Sequence, residues 1–344
     1  MNYILCTGGL GFIGSHTVVE LVNSGYNVLI IDNLSNSDII VLEKLNKICN
    51  KSKIKFIKGN ILNDKDLNLV FQYKILCVLH FAAFKSVNES IKFPLEYYEN
   101  NVMGTINLLK KCEENNVLRF IFSSSSTVYG SSKSPLYEDS QIGFGITNPY
   151  GTTKFMIEQI LKDLKKFNVT SLRYFNPVGA HPSGIIGENP CDIPNNLMPF
   201  VLRVAIRNNV NSKYDDVYKK LNIYGNDYNT KDGTAVRDFI HVVDLAKAHV
   251  CALNKLLESE KKSSYNIYNI GTGNGTSVLE IVKCFIKVNN VKLPYEFKGK
   301  RDGDNDIVYC NTLKAENELN WKAEKSLEDI CKDTYNFATN MYAS

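Results

Sequence analysis

No Cys-x-x-Cys pair occurs anywhere in this chain, although it holds nine cysteines. They are scattered singly, which excludes a paired disulfide framework and a zinc site built on cysteine spacing. No apolar run approaches the ~20 residues of a membrane span. Charge of one sign is scarce as well: the formal net charge is +4 over 344 residues, too little for a nucleic-acid stripe. Lys51, Lys53, Lys55 and Lys58 are interleaved with other residues as on a solvated strand edge. No internal repeat or low-complexity tract appears, so a repeat architecture is excluded. The chain opens at Met1 directly into a strand-like run, leaving no room for a signal peptide. Cys6, Cys77 and Cys310 sit in strand-like runs and read as buried free thiols. These absences predict a cytoplasmic protein in a reducing compartment, with no nucleic acid, membrane or metal among its partners.

What is present is alternation. Short apolar runs at 3–7, 28–32, 54–58, 75–81, 118–123 and 169–175 alternate with helix-period stretches at 13–24, 37–49, 64–71, 95–114 and 150–165. Strand and helix alternating at this length predict right-handed crossovers and a doubly wound α/β domain, a parallel sheet covered on both faces. Its ligand crevice lies at the carboxyl ends of the strands. After Phe175 the rhythm breaks into a proline- and glycine-rich stretch through Pro177, Pro182, Pro190 and Pro194. We therefore expect a nucleotide-binding domain over 1–177 and a smaller, loop-rich lobe over 178–344. Segments around 235–275 are expected to return to the larger domain.

Gly8-Gly9-Leu10-Gly11-Phe12-Ile13-Gly14 follows the first strand and opens the first helix. Gly8 and Gly11 let a backbone approach a pyrophosphate, and Gly14 lets the helix pack against the strand. The helix N-terminus supplies unpaired N–H groups. The second strand ends at Asp32, eighteen residues after Gly14. A carboxylate there accepts both ribose hydroxyls and repels a 2′-phosphate, so NAD is favoured over NADP. Phe81-Ala82-Ala83, closing the fourth strand, suits a tight backbone approach; ordinary strand packing is the blander account of the same residues.

Tyr150 stands four residues before Lys154 at the start of a helix, after Asn148-Pro149. Positions i and i+4 are helix neighbours, with Cβ atoms about 5–6 Å apart. A tyrosine must fall roughly three units from its ordinary pKa, about 4 kcal/mol, to act as a base at neutral pH. An ammonium at that separation contributes about 3 kcal/mol at an effective dielectric near 20. The pair is therefore expected to take a proton from an alcohol and return it. The run Ser123-Ser124-Ser125-Ser126-Thr127 closes the fifth strand beside it. One of those hydroxyls would bond the substrate, and the residues alone do not say which. His241 and His249 lack a completing carboxylate or cysteine and are read as structural.

As a set these motifs resemble the extended short-chain dehydrogenase/reductases and, within them, the UDP-glucose 4-epimerase branch. The likeness runs from Thr7–Thr17 through Phe122–Gly130 and Asn148-Pro149-Tyr150-Gly151. It continues through Asn176-Pro177-Val178-Gly179-Ala180-His181-Pro182-Ser183-Gly184, Asn195-Asn196-Leu197-Met198-Pro199 and 232–242. It implies a Rossmann domain with bound NAD, a UDP-sugar substrate, transient oxidation at C4 and a homodimer built through a four-helix bundle. It also implies Ser125, Tyr150 and Lys154 as catalytic residues. Cofactor contacts are implied for Gly8, Gly11, Phe12, Ile13, Asp32, Asn33, Asn36, Ser37, Asn60, Ile61, Phe81, Ala82, Ala83, Lys85, Asn100, Ser123, Tyr150, Lys154 and Phe175. Substrate contacts are implied for Ser125, Tyr150, Asn176, Asn196, Leu197, Tyr224, Arg237, Arg301, Asp304 and Val308. Arg237 and Arg301 suit a diphosphate, since guanidinium forks make charge-assisted bonds.

Three departures stand out. Asn60 replaces the aspartate that the resemblance places at the adenine amino group, and its amide oxygen accepts without charge. The excursion over 208–220 is longer than the resemblance leads one to expect. Val308 falls at the sugar-size gate, where a tyrosine would close the pocket, so N-acetylated UDP-sugars are expected to enter. Two rival readings differ in chemistry. A nucleotide-sugar 4,6-dehydratase needs an Asp-Glu pair where this chain has Ser126-Thr127. A catalytically silent NAD-sensing protein would have no need of Tyr150 and Lys154.

Overall fold

Strands that are apolar on both faces must be covered on both faces, and the computed structural model shows how this chain does so. It describes residues 1–190, 193–210, 215–301 and 303–342; residues 211–214 of the 208–220 excursion lie outside them. Six strands come from the first half: β1 (Asn2–Thr7), β2 (Val28–Asp32), β3 (Ile54–Lys58), β4 (Lys74–His80), β5 (Arg119–Ser125) and β6 (Asn168–Tyr174). Shorter strands follow: β7 (Asn176–Val178), β8 (Leu221–Tyr224), β9 (Val236–Arg237) and β10 (Phe239–His241). The last are β11 (Ser264–Ile270), β12 (Thr276–Ser277), β13 (Tyr295–Lys298) and β14 (Ile307–Val308).

The seven-stranded sheet runs β11-β6-β5-β4-β1-β2-β3 and is parallel throughout. β2 and β6 are buried along their whole length. β3 forms one outer margin, with Lys55 and Lys58 exposed; the Lys55 ammonium lies 4.9 Å from the Tyr73 ring centre and 5.7 Å from that of Tyr3.

The helices are α1 (Phe12–Asn23), α2 (Ile40–Ile48), α3 (Asp64–Val70), α4 (Val87–Lys92), α5 (Pro94–Tyr97) and α6 (Gly104–Glu114). After them come α7 (Pro149–Asp163), α8 (Leu197–Asn209), α9 (Val242–Glu258), α10 (Val278–Asn289), α11 (Leu313–Leu319) and α12 (Leu327–Tyr342). One face of the sheet buries Val18, Leu21, Leu245, Leu253 and Trp321 from α1, α9 and the C-terminal part. The other buries Leu67, Leu108, Ile157 and Leu161 from α3, α6 and α7. A third cluster, separate from the sheet, joins α8, α10 and α12 through Val201, Ile206, Val282, Phe285 and Ile330.

The stretch 95–114, expected as one helix, divides into α5, a π-helical turn over Tyr98–Met103, and α6. Its wide turn carries Asn101, fully buried, whose side chain donates to Phe84 O (3.0 Å) and Thr153 Oγ1 (3.1 Å) and accepts from Phe84 N (2.8 Å). Such local widening is typical of functional sites. β10 pairs with β7 outside the main sheet, whereas β11 joins it. Among the described residues no helix is long and apolar enough to cross a membrane.

Candidate active site

At the carboxyl end of β1 the glycines have steric work. Gly8 holds φ +67°, and a Cβ there would stand 2.7 Å from the Ala82 nitrogen. A Cβ on Gly14 would meet the Gly8 carbonyl oxygen at 2.3 Å. The turn, the end of β4 and α1 are thus packed backbone to backbone. Gly11 caps α1 without a side chain, so first-turn N–H groups are left for an incoming anion. The Asp32 carboxylate accepts from Leu10 N (3.0 Å), Leu34 N (3.0 Å) and Ser37 Oγ (2.8 Å). It pins the glycine turn to the 33–37 loop, and its four acceptor sites leave capacity for ribose. This cradle fits a dinucleotide: the uncapped first turn of α1 would receive a pyrophosphate, and the buried Asp32 carboxylate beside it has acceptor capacity to spare for a ribose.

The other cofactor candidates divide. Phe12, Ile13, Ala82, Ala83 and Asn33 are half-buried around the turn, while Asn36 is exposed. Asn60 Oδ1 accepts from Leu62 N at 2.9 Å, and Ile61 is buried against Gly104. Asn100 donates to Asn101 Oδ1 at 3.0 Å. Phe81 lies 5.0 Å from the His249 ring. Phe175 is buried with Val128, Tyr129, Leu136 and Cys310, and Val308 packs against that cluster. Lys85 Nζ sits 5.9 Å from the Phe12 ring centre and bonds Glu188 Oε1 at 2.7 Å. Asn196 donates to the same Glu188 oxygen at 3.2 Å. A cofactor candidate and a substrate candidate therefore meet on one carboxylate that the sequence reading passed over.

The serine run separates into distinct jobs. Ser123 O accepts from Lys154 Nζ at 2.7 Å, and Ser123 Oγ bonds Tyr174 OH at 2.7 Å. Tyr174 OH also reaches His249 Nε2, while His249 Nδ1 is 2.8 Å from Leu245 O. Ser124 Oγ donates to Glu158 Oε1 at 2.5 Å. Ser125 accepts from Thr127 N (3.2 Å), and its hydroxyl faces the Tyr150 phenol and favours the charged form. Ser125 is thus the hydroxyl that meets the tyrosine. Helix α7 presents that tyrosine in its first turn because Asn148 Oδ1 caps Gly151 N (2.9 Å) and Pro149 opens the helix. Among the described residues Thr127 Oγ1, buried beside Gly151, has no hydrogen-bond partner.

Lys154 Nζ lies 5.8 Å from the Tyr150 ring centre and 4.9 Å from that of Phe122. The expected tuning does not appear in this arrangement. Burial pushes the Tyr150 phenol up, with the Ser125 bond opposing, and pushes the Lys154 ammonium down to about 7, with Glu158 opposing. Setting an ammonium against a solvated phenol leaves out the desolvation of both groups, which wins here.

Across the cleft, β14 pairs in parallel with β9, so that Val308 stands beside Arg237. Arg237 bonds Asp304 Oδ1 (3.3 Å), Val236 O (2.8 Å) and Asn305 O (2.8 Å). The Arg301 guanidinium stacks 4.1 Å over the Tyr224 ring. Asn176 N donates to Asp238 O (2.9 Å), and Leu197 begins α8. His241 accepts from Val243 N at 3.1 Å and faces Asp333, a helix-capping position. Among the described residues no group of three or more His, Cys, Asp and Glu side chains is placed to hold a metal ion.

The family model for the NAD dependent epimerase/dehydratase family matches residues 4–271. The UDP-glucose 4-epimerase of Bacillus subtilis is 48% identical over 343 residues, spanning 98% of this chain and 97% of that protein. The bifunctional protein GAL10 of Pachysolen tannophilus is 50% identical over 98% of this chain, which spans about half of that relative (49%). A crystal structure of UDP-glucose 4-epimerase from Bifidobacterium longum in complex with NAD+ and UDP superposes with a TM-score of 0.90. It is 44% identical, over 98% of each chain.

Proposed function

The chain belongs to the NAD dependent epimerase/dehydratase family, and on that footing we propose that it interconverts UDP-glucose and UDP-galactose. One observation carries the proposal: Ser125, Tyr150 and Lys154 converge at the end of β5, beside the glycine turn that closes on Ala82. NAD held in this cradle would accept hydride from the sugar's C4 and give it back, so the reaction would have no net redox change. Tyr150 Oη takes the O4 proton and later returns it to the same oxygen; because the keto sugar turns over in between, hydride would come back to the opposite face of C4 and invert it. Ser125 Oγ, beside that phenol, orients the sugar hydroxyl. Lys154 steadies the phenolate, and the positive charge of an oxidised cofactor bound there would offset the burial that raises the phenol.

Arg237 and Arg301 hold the diphosphate while the sugar turns, with Asn176, Asn196, Leu197, Tyr224 and Asp304 around the nucleotide. The sheet part over 1–177 serves the cofactor and the part after 178 serves the UDP-sugar. Val308, smaller than an aromatic gate, admits N-acetylated UDP-sugars, and failure to turn over UDP-N-acetylglucosamine would exclude that breadth. Leu95 (80% exposed), Ile91, Phe93, Met103 and Met156 form an exposed apolar surface on α4–α7. A second copy would cover it as a homodimer; a monomer by light scattering counts against this. Free buried thiols such as Cys6, Cys77 and Cys310 suit the cytoplasm. The decisive assay follows UDP-galactose conversion by the NAD-loaded enzyme. No UDP-glucose formed would overturn the proposal.

A further inference from the structure

Helix α7 carries Tyr150, Lys154 and Glu158 at steps of four, one above another on a single face. Glu158 is therefore the natural ion-pair partner of Lys154, yet both of its oxygens are taken elsewhere. Oε1 accepts from Ser124 Oγ (2.5 Å) and Arg173 Nε (3.0 Å), and Oε2 from Arg173 NH2 (2.6 Å). Arg173 sits at the centre of a register row, between Ser124 on β5 and Asn269 on β11. Its NH1 bonds Tyr129 OH and Glu138 O at 3.0 Å each. Arg173 and Glu158 are no more than 1% exposed. Lys154 Nζ meanwhile donates to Ser123 O rather than to the carboxylate four residues along.

A buried ion pair is weak evidence for stability, because an apolar pair of the same shape often serves as well. Its place beside the lysine calls for another account. We propose that Glu158 and Arg173 are positioning residues for the proposed proton transfer, Arg173 holding the Glu158 carboxylate off Lys154 so that the ammonium stays with Tyr150. The same carboxylate, at one remove, keeps Lys154 charged in a buried setting. The inference rests on Tyr150 and Lys154 having the roles proposed above.

The charged and titratable groups around the pair are few. Tyr150 lies on α7 itself with Tyr174 of β6 beside it, and His80 faces Lys154 from β4, where burial holds its imidazole near 3. Glu158 meets Arg173 from β6 and Tyr265 from β11, with Tyr129 and Glu138 behind the guanidinium. The negative charge acting on Lys154 is that of Glu158.

The test is the pH profile of kcat for UDP-galactose epimerisation by NAD-loaded enzyme. Loss of the Lys154 proton sets its alkaline limb. Glu158→Gln removes the supporting charge, so the limb moves to lower pH. Arg173→Gln releases Glu158 onto Lys154, so the limb moves to higher pH. Each lowers kcat about tenfold or more with KM nearly unchanged, and Glu158→Asp brings the limb back toward that of the parent. Should either single variant fail to fold, Glu158→Gln/Arg173→Gln together leave no lone buried charge and must still show the downward limb. Limbs that stay in place, or that move the same way in both single variants, overturn the proposal. Full activity in Tyr150→Phe would instead overturn the base on which it rests, a separate result.

Discussion

The two banks of the cleft hold their polar groups in opposite ways. On the sheet side, Ser123, Ser124, Ser125, Lys154, Glu158 and Arg173 are all buried and bonded to one another or to neighbouring strands. On the far side, Tyr224 is 38% exposed and Arg301 and Asp304 are exposed, carried on or beside strands of two to four residues. Proton chemistry needs groups fixed to within fractions of an ångström, and strands locked in register provide that. Holding a diphosphate needs charge and reach, which short ribbons and stacked guanidinium groups supply. Rigidity and reach are thus assigned to different parts of one chain.

The contrast can be broken most severely at Tyr150, the proposed base. Tyr150→Phe should lower epimerisation by about 10²–10⁴-fold while the protein still retains NAD, read by cofactor absorbance after gel filtration. Next, packing on the two banks should differ in kind. Phe122→Ala, beneath Lys154 and 1% exposed, should cost about 3–5 kcal/mol of stability. Tyr224→Ala should cost less than about 1 kcal/mol and appear instead in KM. Equal losses in a denaturant titration would erase the distinction. Arg237→Ala should weaken substrate capture by about 1.5–3 kcal/mol, carried by KM rather than kcat.

A further contrast is set by acid. Burial pushes His16 and His80 to about 3 and His249 to about 4. Below their ordinary value of about 6.5 the unfolded chain binds these protons and the fold does not. Stability is therefore whole above about pH 6.5 and falls as pH drops, by up to about 1.4 kcal/mol per pH unit for each histidine. All three belong to the sheet side, so a melting temperature unchanged between pH 7 and 4.5 would contradict the burial argument.

The parts of the site legible in the sequence were local. Gly8, Gly14 and Asp32 announce themselves because strand, turn and helix follow one another along the chain. The serines could not be separated by inspection, because what distinguishes Ser124 from Ser125 is the pairing of β5 with β6 and the packing of α7. Glu158 carried a signal, four residues after Lys154, but its partner Arg173 is brought to it only by sheet register. The π-helical turn at Tyr98–Met103 was hidden for a similar reason: Asn101 earns its geometry from Phe84 and Thr153, on other elements. The raised Tyr150 phenol was missed because pairwise charge can be counted along a helix, whereas desolvation depends on everything packed around it. On the far bank, periodicity offered nothing, and Arg237, Arg301 and Val308 were reached through resemblance.

At β3 the sheet stops, and the way it stops governs crowding. Another copy adding itself there would have to lift the Lys55 ammonium off two tyrosine rings and set like charges side by side. Concentrated solutions should therefore resist fibre-like stacking along that margin, leaving self-association to the apolar helices on another flank.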